Sequence, residues 1–114
     1  MINQEETLRL LRRIKVACPR FSLPSDAQDL HVLVRIWCNA LNIDWDYPAY
    51  VYEEAVDSYF ATASRDDNAP MPGDIRAHCK KAVDRIISDQ IRGPRFQDWR
   101  AERDRQRESR VSGT

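Results

Sequence analysis

Two histidines and three cysteines are the side chains best suited to binding a metal or acting as nucleophiles. Cys18, Cys38 and Cys79 lie far apart in the sequence and lack the paired spacings of zinc sites and disulfide frameworks. His31 and His78 fall inside predicted helices, whereas a metal site needs three or four converging ligands. We therefore predict reduced, buried thiols and neither a metal nor a cofactor.

Carboxylates are the other side chains with catalytic potential. The pairs Glu53-Glu54 and Asp66-Asp67 are adjacent in sequence, so their side chains diverge and do not form a coupled dyad. The chain has no glycine-rich phosphate loop, no GxSxG motif and no HExxH motif. We predict no catalytic residues and a protein that is not an enzyme.

Acidic and aromatic residues together mark a candidate partner surface. Residues 41–67 carry seven acids and one base, so phosphates would be repelled and base stacking on nucleic acid is disfavoured. Two interpretations stay open, a protein-binding face and partial burial of the rings. The residues of this acidic face are Trp45, Tyr50, Glu53, Glu54 and Asp57.

Basic residues on two predicted helices are candidates for phosphate contacts. The first helix carries Arg9, Arg12 and Arg13, for which a solvated helix face is the alternative. The fourth helix carries a second set, Arg76, Lys80 and Lys81. We expect any direct binding of DNA to be weak.

Arginines and aromatic rings come together near the C-terminus. Phe96 and Trp99 are three residues apart and would form one apolar patch on a helix, ringed by Arg95, Arg100 and Arg103. This combination is typical of interface anchors. The alternative is that the two rings fold back onto the core.

The composition predicts one soluble domain. The chain has 114 residues, of which 42% are hydrophobic and 32% charged. No apolar run approaches the roughly 20 residues of a membrane span, and the N-terminus shows no apolar signal segment. We expect a cytoplasmic protein without membrane association. Its zero net charge combines basic ends with an acidic middle, so charged partners are not excluded.

Apolar residues three and four apart predict an all-α fold. We expect a compact bundle of four helices over about residues 5–18, 25–41, 47–64 and 72–91. The remaining residues hold too little apolar surface to bury, which predicts a mobile or partly helical C-terminal tail. The predicted domains are a helical core, 1–91, and a charged, Arg-rich tail, 92–114, that is flexible or folds on a partner.

Local signals place the helix ends. Ser25 with Gln28 predicts a capping box at the start of the second helix. Asp46 or Tyr47 is expected to cap the third helix, with Pro48 in its first turn. The dipeptide Gly93-Pro94 is expected to end the fourth helix.

The order of these features resembles the phage replicative-helicase loader and inhibitor family over about residues 6–88. The resemblance rests on a first helix that ends in Cys-Pro-Arg-Phe, Trp37 in the second helix, a Tyr-Pro connection, Tyr59-Phe60 near the end of the third helix, and the turn Pro70-Met71-Pro72-Gly73-Asp74-Ile75. This turn is similar to the family's Pro-x-Pro-x-Asp-Ile turn.

The resemblance implies a helical N-terminal domain and a flexible C-terminal segment that bridge the replicative helicase and an origin-bound initiator protein. Family members deliver the hexameric helicase to DNA and hold it inactive until then, by binding and without ATP hydrolysis. In this chain the tail from Arg92 would contact the helicase and the core the initiator, in the cytoplasm of the bacterial host.

Two other hypotheses compete with this adaptor. The first is a DNA-binding regulator that uses the basic face of the fourth helix, although the ten residues from Ser64 to Gly73 exceed a normal helix-turn-helix connection. The second is a phage inhibitor of another host protein, with the acidic third helix as a DNA mimic.

Overall fold

The computed structural model describes residues 1–43, 47–63 and 69–112, with side chains described as far as residue 108. Within these ranges every regular element is an α-helix, which confirms the all-α prediction. The helices are α1 (Gln4–Ala17), α2 (Ala27–Asn42), α3 (Ala49–Thr62), α4 (Pro72–Ser88) and α5 (Arg92–Ser112). The prediction of four helices is therefore wrong by one, because the segment predicted as a tail forms α5.

Helix α1 begins at a complete capping box. The side chain of Asn3 accepts a hydrogen bond from the Glu6 amide at 2.7 Å, and the Glu6 carboxylate accepts one from the Asn3 amide at 3.1 Å. These bonds satisfy two of the amides that a helix start leaves without partners. The helix buries Leu10, Leu11 and Ile14 and lies against both α2 and α3.

Helix α2 begins one residue later than the capping prediction. Its N-cap is Asp26, whose carboxylate accepts a hydrogen bond from the Gln28 amide at 3.0 Å, so the assignment of Ser25 is wrong. An aspartate here also meets the positive end of the helix dipole. Trp37, on the buried face of α2, makes an edge contact with Phe21 at 5.9 Å between ring centroids.

The residues ahead of α1 are fixed to the end of α2. The Ile2 amide donates to Asn42 Oδ1 at 3.2 Å, and Asn42 Nδ2 donates to the Ile2 carbonyl at 2.9 Å. The Ile2 side chain is only 2% exposed. One amide side chain thus pairs with both polar groups of a backbone residue 40 positions away in sequence.

Helix α3 starts at Ala49 with Pro48 as its N-cap and no side-chain cap. The Tyr47 alternative is therefore wrong, and so is the placement of Pro48 in the first turn, because its backbone is extended. The other alternative, Asp46, lies outside the described residues. Tyr52 is fully buried, and its hydroxyl donates to the Leu41 carbonyl at 3.1 Å. This bond satisfies the one polar atom of the Tyr52 side chain inside the core.

Helix α4 follows the predicted proline. Asp74 accepts a hydrogen bond from the Met71 amide at 2.8 Å, which fixes the start of the helix. Its stripe of Ile75, Cys79 and Ala82 is fully buried. Ser58 Oγ of α3 and His78 Nδ1 of α4 share a hydrogen bond of 3.1 Å.

The end of α4 differs from the prediction. The helix stops at Ser88 because Asp89 Oδ1 accepts hydrogen bonds from the amides of Ile91 and Arg92, at 2.9 and 2.8 Å, and so starts α5. Pro94 then lies in the first turn of a new helix, where a missing amide hydrogen costs no hydrogen bond.

The chain divides into two compact units. The first is Met1–Ala82, with α1, α2, α3 and most of α4, and the second begins at Val83 and contains α5. The predicted domains, divided between residues 91 and 92, stay a prediction. Among the described residues, no helix is both long enough and apolar enough to cross a membrane.

Candidate functional site

The Arg-aromatic segment of α5 is the first candidate surface. The turn ahead of it is tight, since a Cβ atom added at Gly93 would lie 2.6 Å from the carbonyl oxygen of Ile87. The hydrogen bonds from Arg92 and Ile91 also lower the pKa of the Asp89 carboxyl. The close approach of Gly93 to Ile87 and the hydrogen bonds to Asp89 fix the residue at which α5 begins. The start of the helix then determines the side of α5 on which Phe96 and Trp99 lie.

The two rings of α5 have different exposures. Phe96 is fully buried, whereas Trp99 is half-buried, with 5.5 Å between the two ring centroids. The Phe96 ring is therefore covered by the protein itself and offers no surface to a partner. Its burial is favourable because apolar surface is removed from water. Trp99 is the aromatic residue of this pair with surface to offer.

Two arginines lie over these rings, each four residues after its ring. The Arg100 guanidinium carbon is 4.8 Å from the Phe96 centroid, and that of Arg103 is 5.1 Å from the Trp99 centroid. Residues four apart share one side of a helix, and a guanidinium is attracted to an aromatic face. Arg95 is exposed on the same helix. The structure thus groups Trp99 with Arg103, as the spacing predicts.

The polar side of α5 carries its own ion pairs. Arg105 Nη2 lies 2.6 Å from Glu102 Oε2, and Arg103 Nη2 lies 3.2 Å from Asp104 Oδ1. The hydrogen bond from Arg105 lowers the pKa of the Glu102 carboxyl. The exposed Arg105–Glu102 pair adds little stability by itself, while the Arg103 side chain of the other pair is only 20% exposed. Both pairs leave the surface of α5 with charges of both signs.

One carboxylate of the acidic face of α3 is already paired with an arginine of the same chain. Asp57 accepts two hydrogen bonds from Arg13 of α1, at 2.8 Å to Nε and 2.7 Å to Nη2. The hydrogen bond to Asp57 raises the pKa of the Arg13 guanidinium. Arg13 and Asp57, predicted for two different surfaces, therefore pair with each other.

The other described residues of the acidic face differ in exposure, and the side chain of the paired Asp57 is itself 57% exposed. Glu53 is exposed, Glu54 is half-buried, and Tyr50 is 39% exposed. Trp45 lies outside the described residues. The carboxylates of α3 therefore remain a surface feature, with Tyr50 as its aromatic residue.

The predicted phosphate contacts are also distributed over two helices. Arg9 and Arg12 are exposed on α1. On α4, Lys80 and Lys81 are exposed and Arg76 is half-buried. Both helix faces can present positive charge.

Histidines and cysteines do not converge on a metal-binding geometry in the part of the chain that the structure describes. Cys18 and Cys79 are buried free thiols, and Cys38 is half-buried with its thiol 3.4 Å from the Ile2 carbonyl oxygen. Burial raises the pKa of the Cys79 thiol to about 12. A thiol with this pKa stays protonated and poorly nucleophilic at neutral pH.

One exposed apolar surface was not among those predicted from the sequence. Val32, Ile36 and Ile43 are 51%, 57% and 67% exposed, although α2 already buries a full apolar stripe on its other side. The signal was present, because these residues are apolar and lie off the predicted core stripe. Comparison of the chain with protein-family models, curated proteins and solved structures gives no match in any of the three.

Proposed function

We propose that this chain is a non-enzymatic phage DNA-replication adaptor that binds the replicative helicase and holds it inactive, loads it at an initiator-marked origin, or does both. The proposal combines the sequence resemblance with the surface of α5. The observation that carries it is the half-buried Trp99 with Arg103 over its ring.

An anchor of this composition suits a protein partner. Tryptophan and arginine are enriched among the residues that dominate binding energy at interfaces, where they fill pockets that exclude water. The stacked guanidinium is held in place before a partner arrives, so less side-chain entropy is lost on binding. We assign the helicase contact to Trp99, Arg103 and the exposed Arg95.

The charge pattern supports separate roles for the two ends of the chain. Residues from 92 onward carry seven arginines and four acids, whereas residues 41–67 carry seven acids and one base. Complementary local charge steers association and suppresses wrong partners. In the proposal, α5 contacts the helicase, and the first unit, with Tyr50 and the acids of α3, contacts the initiator.

The test is co-elution of the purified chain with the host's replicative helicase at micromolar concentration. We expect a complex that Arg95→Glu and Trp99→Ala each weaken by at least about tenfold, the effect expected of an interface anchor. The matched control is Arg107→Ala, which removes an arginine from the same helix two turns beyond Trp99, with an expected change below about twofold. Far-UV circular dichroism checks that each variant keeps its helices. An unchanged helicase elution profile with the parent chain would sink the proposal.

The second candidate is a helical DNA-binding regulator, favoured by the exposed Lys80 and Lys81 on α4. Such a protein must lose affinity steeply with salt, because binding releases counterions from the phosphates. Titration of labelled duplex at about 50 and 200 mM salt separates the two candidates. Strong binding that Lys80→Ala and Lys81→Ala together weaken would favour the regulator.

Inhibition of another host protein is the third candidate, and reversal of the charges of Glu53, Glu54 and Asp57 is its test.

A further inference from the structure

The side of α5 that carries Trp99 also carries two arginines. Arg95 and Arg103 lie four residues before and four residues after Trp99. Because successive residues are about 100° apart around a helix axis, both lie within about 40° of the direction of Trp99. Along the axis, each is about 6 Å from Trp99, one towards either end of the helix. We call these three residues the Arg-Trp-Arg line of α5.

The acids of α5 lie off this line. Three of them are at least about 100° from the direction of Trp99, namely Asp98, Asp104 and Glu108. Glu102 is nearer, at about 60°. Its carboxylate lies 2.6 Å from Arg105 Nη2, so it is already paired within the helix. Among the described side chains of α5, each carboxylate therefore points away from the line or is paired.

The two arginines of the line differ in what already holds them. Arg103 stacks on the Trp99 ring, lies 3.2 Å from Asp104, and has a side chain that is only 20% exposed. Arg95 is exposed and forms no ion pair with any residue that the structure describes. Arg95 is therefore the guanidinium that the line offers to a partner, and Arg103 mainly shapes the surface around Trp99.

The surroundings of Trp99 favour a protein carboxylate over a nucleic-acid phosphate, although arginine binds both anions through paired hydrogen bonds. Single-stranded nucleic acid is held by bases that stack on open aromatic faces. The Trp99 ring instead contacts Arg103 and Phe96, and it is only half-buried at what remains. A helix in the major groove of a duplex has phosphates along both flanks, and here the flanks carry Asp98 and Asp104.

We propose that α5 docks on an acidic protein surface, where Arg95 binds a carboxylate of the partner and the exposed part of Trp99 enters an adjoining apolar pocket. In the proposed function, on which this docking mode rests, the partner is the replicative helicase, so the helicase should present such a surface. The carboxylate and the pocket should lie about one helix turn apart, as Arg95 and Trp99 do. Attraction between the charges acts before contact, so it raises the association rate and weakens with salt.

The first experiment uses polyglutamate, an acidic polypeptide that serves as a probe without the helicase. Binding of the labelled probe to the full chain is followed by fluorescence anisotropy at about 50 mM salt. We expect Arg95→Glu to weaken binding by at least about tenfold, because attraction becomes repulsion. The matched control is Arg105→Glu, the same change on the same helix at about 120° from Trp99. It should weaken binding by less than about threefold.

The second experiment measures the kinetics of binding to the helicase by biolayer interferometry at about 50 and 300 mM salt. We expect the association rate of the parent chain to fall by at least about tenfold with salt. The rate for Arg95→Glu should start lower and depend less on salt, because the steering charge is gone. The dissociation rate of the parent chain should change by less than about threefold.

Three results with the probes would overturn the proposal. The first is polyglutamate that the parent chain does not bind, or that it binds no better than Arg95→Glu does. The second is equal weakening by Arg95→Glu and Arg105→Glu, which would indicate a general effect of added negative charge. The third is oligothymidylate that binds more tightly than polyglutamate at the same salt and depends on Arg95, which would make α5 a nucleic-acid surface.

The helicase measurement separates this proposal from the proposed function. A helicase complex that forms at a rate independent of salt would contradict the acidic surface and leave the helicase as the partner. Binding of polyglutamate through Arg95 without any helicase complex would support an acidic partner and contradict the helicase.

Discussion

The turn between α4 and α5 provides the sharpest test of the structure, because the same substitution at Gly93, in this turn, and at Gly73, at the start of α4, should change stability in opposite directions. Gly93 faces the end of α4, and an alanine Cβ at this position would lie 2.6 Å from the carbonyl oxygen of Ile87. Contacts under 3.0 Å essentially never occur for real Cβ atoms, so the backbone must move by at least about 0.4 Å. Gly73, in the first turn of α4, has no atom within 4 Å of the same added carbon.

The two substitutions therefore differ in sign. Gly73→Ala should stabilise the chain by about 0.4–1 kcal/mol, because alanine restricts the unfolded chain and neither glycine has a positive φ. Gly93→Ala restricts the unfolded chain in the same way, but the overpacking of its Cβ against Ile87 typically costs about 1–3 kcal/mol. We expect a net loss of about 1–2 kcal/mol and a difference of about 2 kcal/mol between the variants.

Thermal unfolding followed by far-UV circular dichroism measures this difference. For a chain of this length, about 1 kcal/mol corresponds to roughly 4 °C in Tm, so the variants should differ by about 8 °C. Trypsin cleavage at the arginines of α5 should become faster in Gly93→Ala and stay unchanged in Gly73→Ala. Equal increases in Tm for both variants would refute the close approach of Gly93 to Ile87.

Three further substitutions or conditions test other contacts. Asn42→Ala removes both hydrogen bonds to Ile2, and we expect a loss of about 1–3 kcal/mol in urea denaturation, with Asn42→Asp recovering less than half of it. Arg13→Ala breaks the pair with Asp57, whose side chains are 50% and 57% exposed, so it should cost less than about 1 kcal/mol, and a larger loss would contradict the exposed geometry. The Cys79 thiol, with its pKa raised by burial from 9.0 to about 12, stays protonated in the folded state while the unfolded chain ionises. Stability should therefore fall as the pH rises from about 9 towards 12, and Cys79→Ala should flatten this decline.

The positions of the first four helices follow from the sequence because a buried helix face imposes a spacing of three and four on its apolar residues. The helix ends are less predictable, because they depend on which of several neighbouring polar side chains accepts hydrogen bonds from the first amides of the helix. Ser25 and Asp26 are both good N-caps, and the structure uses Asp26. Asp89 ends α4 and starts α5, although Gly93-Pro94 is the stronger stop signal in the sequence.

Helix α5 was predicted only as a partly helical alternative. The scarcity of apolar residues favours a mobile segment, but contacts within the helix itself favour α5. Arg100 on Phe96, Arg103 on Trp99 and Arg105 with Glu102 all join residues three or four positions apart. Such pairs each add a few tenths of a kcal/mol to a helix, so together they favour α5 where apolar burial is limited.

The candidate surfaces also differ in how much of each can be predicted from local sequence. The grouping of Trp99 with Arg103 follows from local spacing alone. The pairing of Arg13 with Asp57 joins residues 44 positions apart, so it depends on how α1 lies against α3, and no local pattern contains that information. Val32, Ile36 and Ile43 are readable in the sequence as apolar residues, but only the packed structure shows that they are exposed.

The placement of α1 has a consequence for synthesis of the chain on the ribosome. Residues in and just before α1 form hydrogen bonds with residues that come much later in the sequence. Ile2 pairs with Asn42 and Arg13 with Asp57, 40 and 44 residues further on. At a translation rate of about 5–20 residues per second, this delay is about 2–9 s. During that time Leu10, Leu11 and Ile14 have no core to join, so α1 is the segment that nascent-chain chaperones should encounter first.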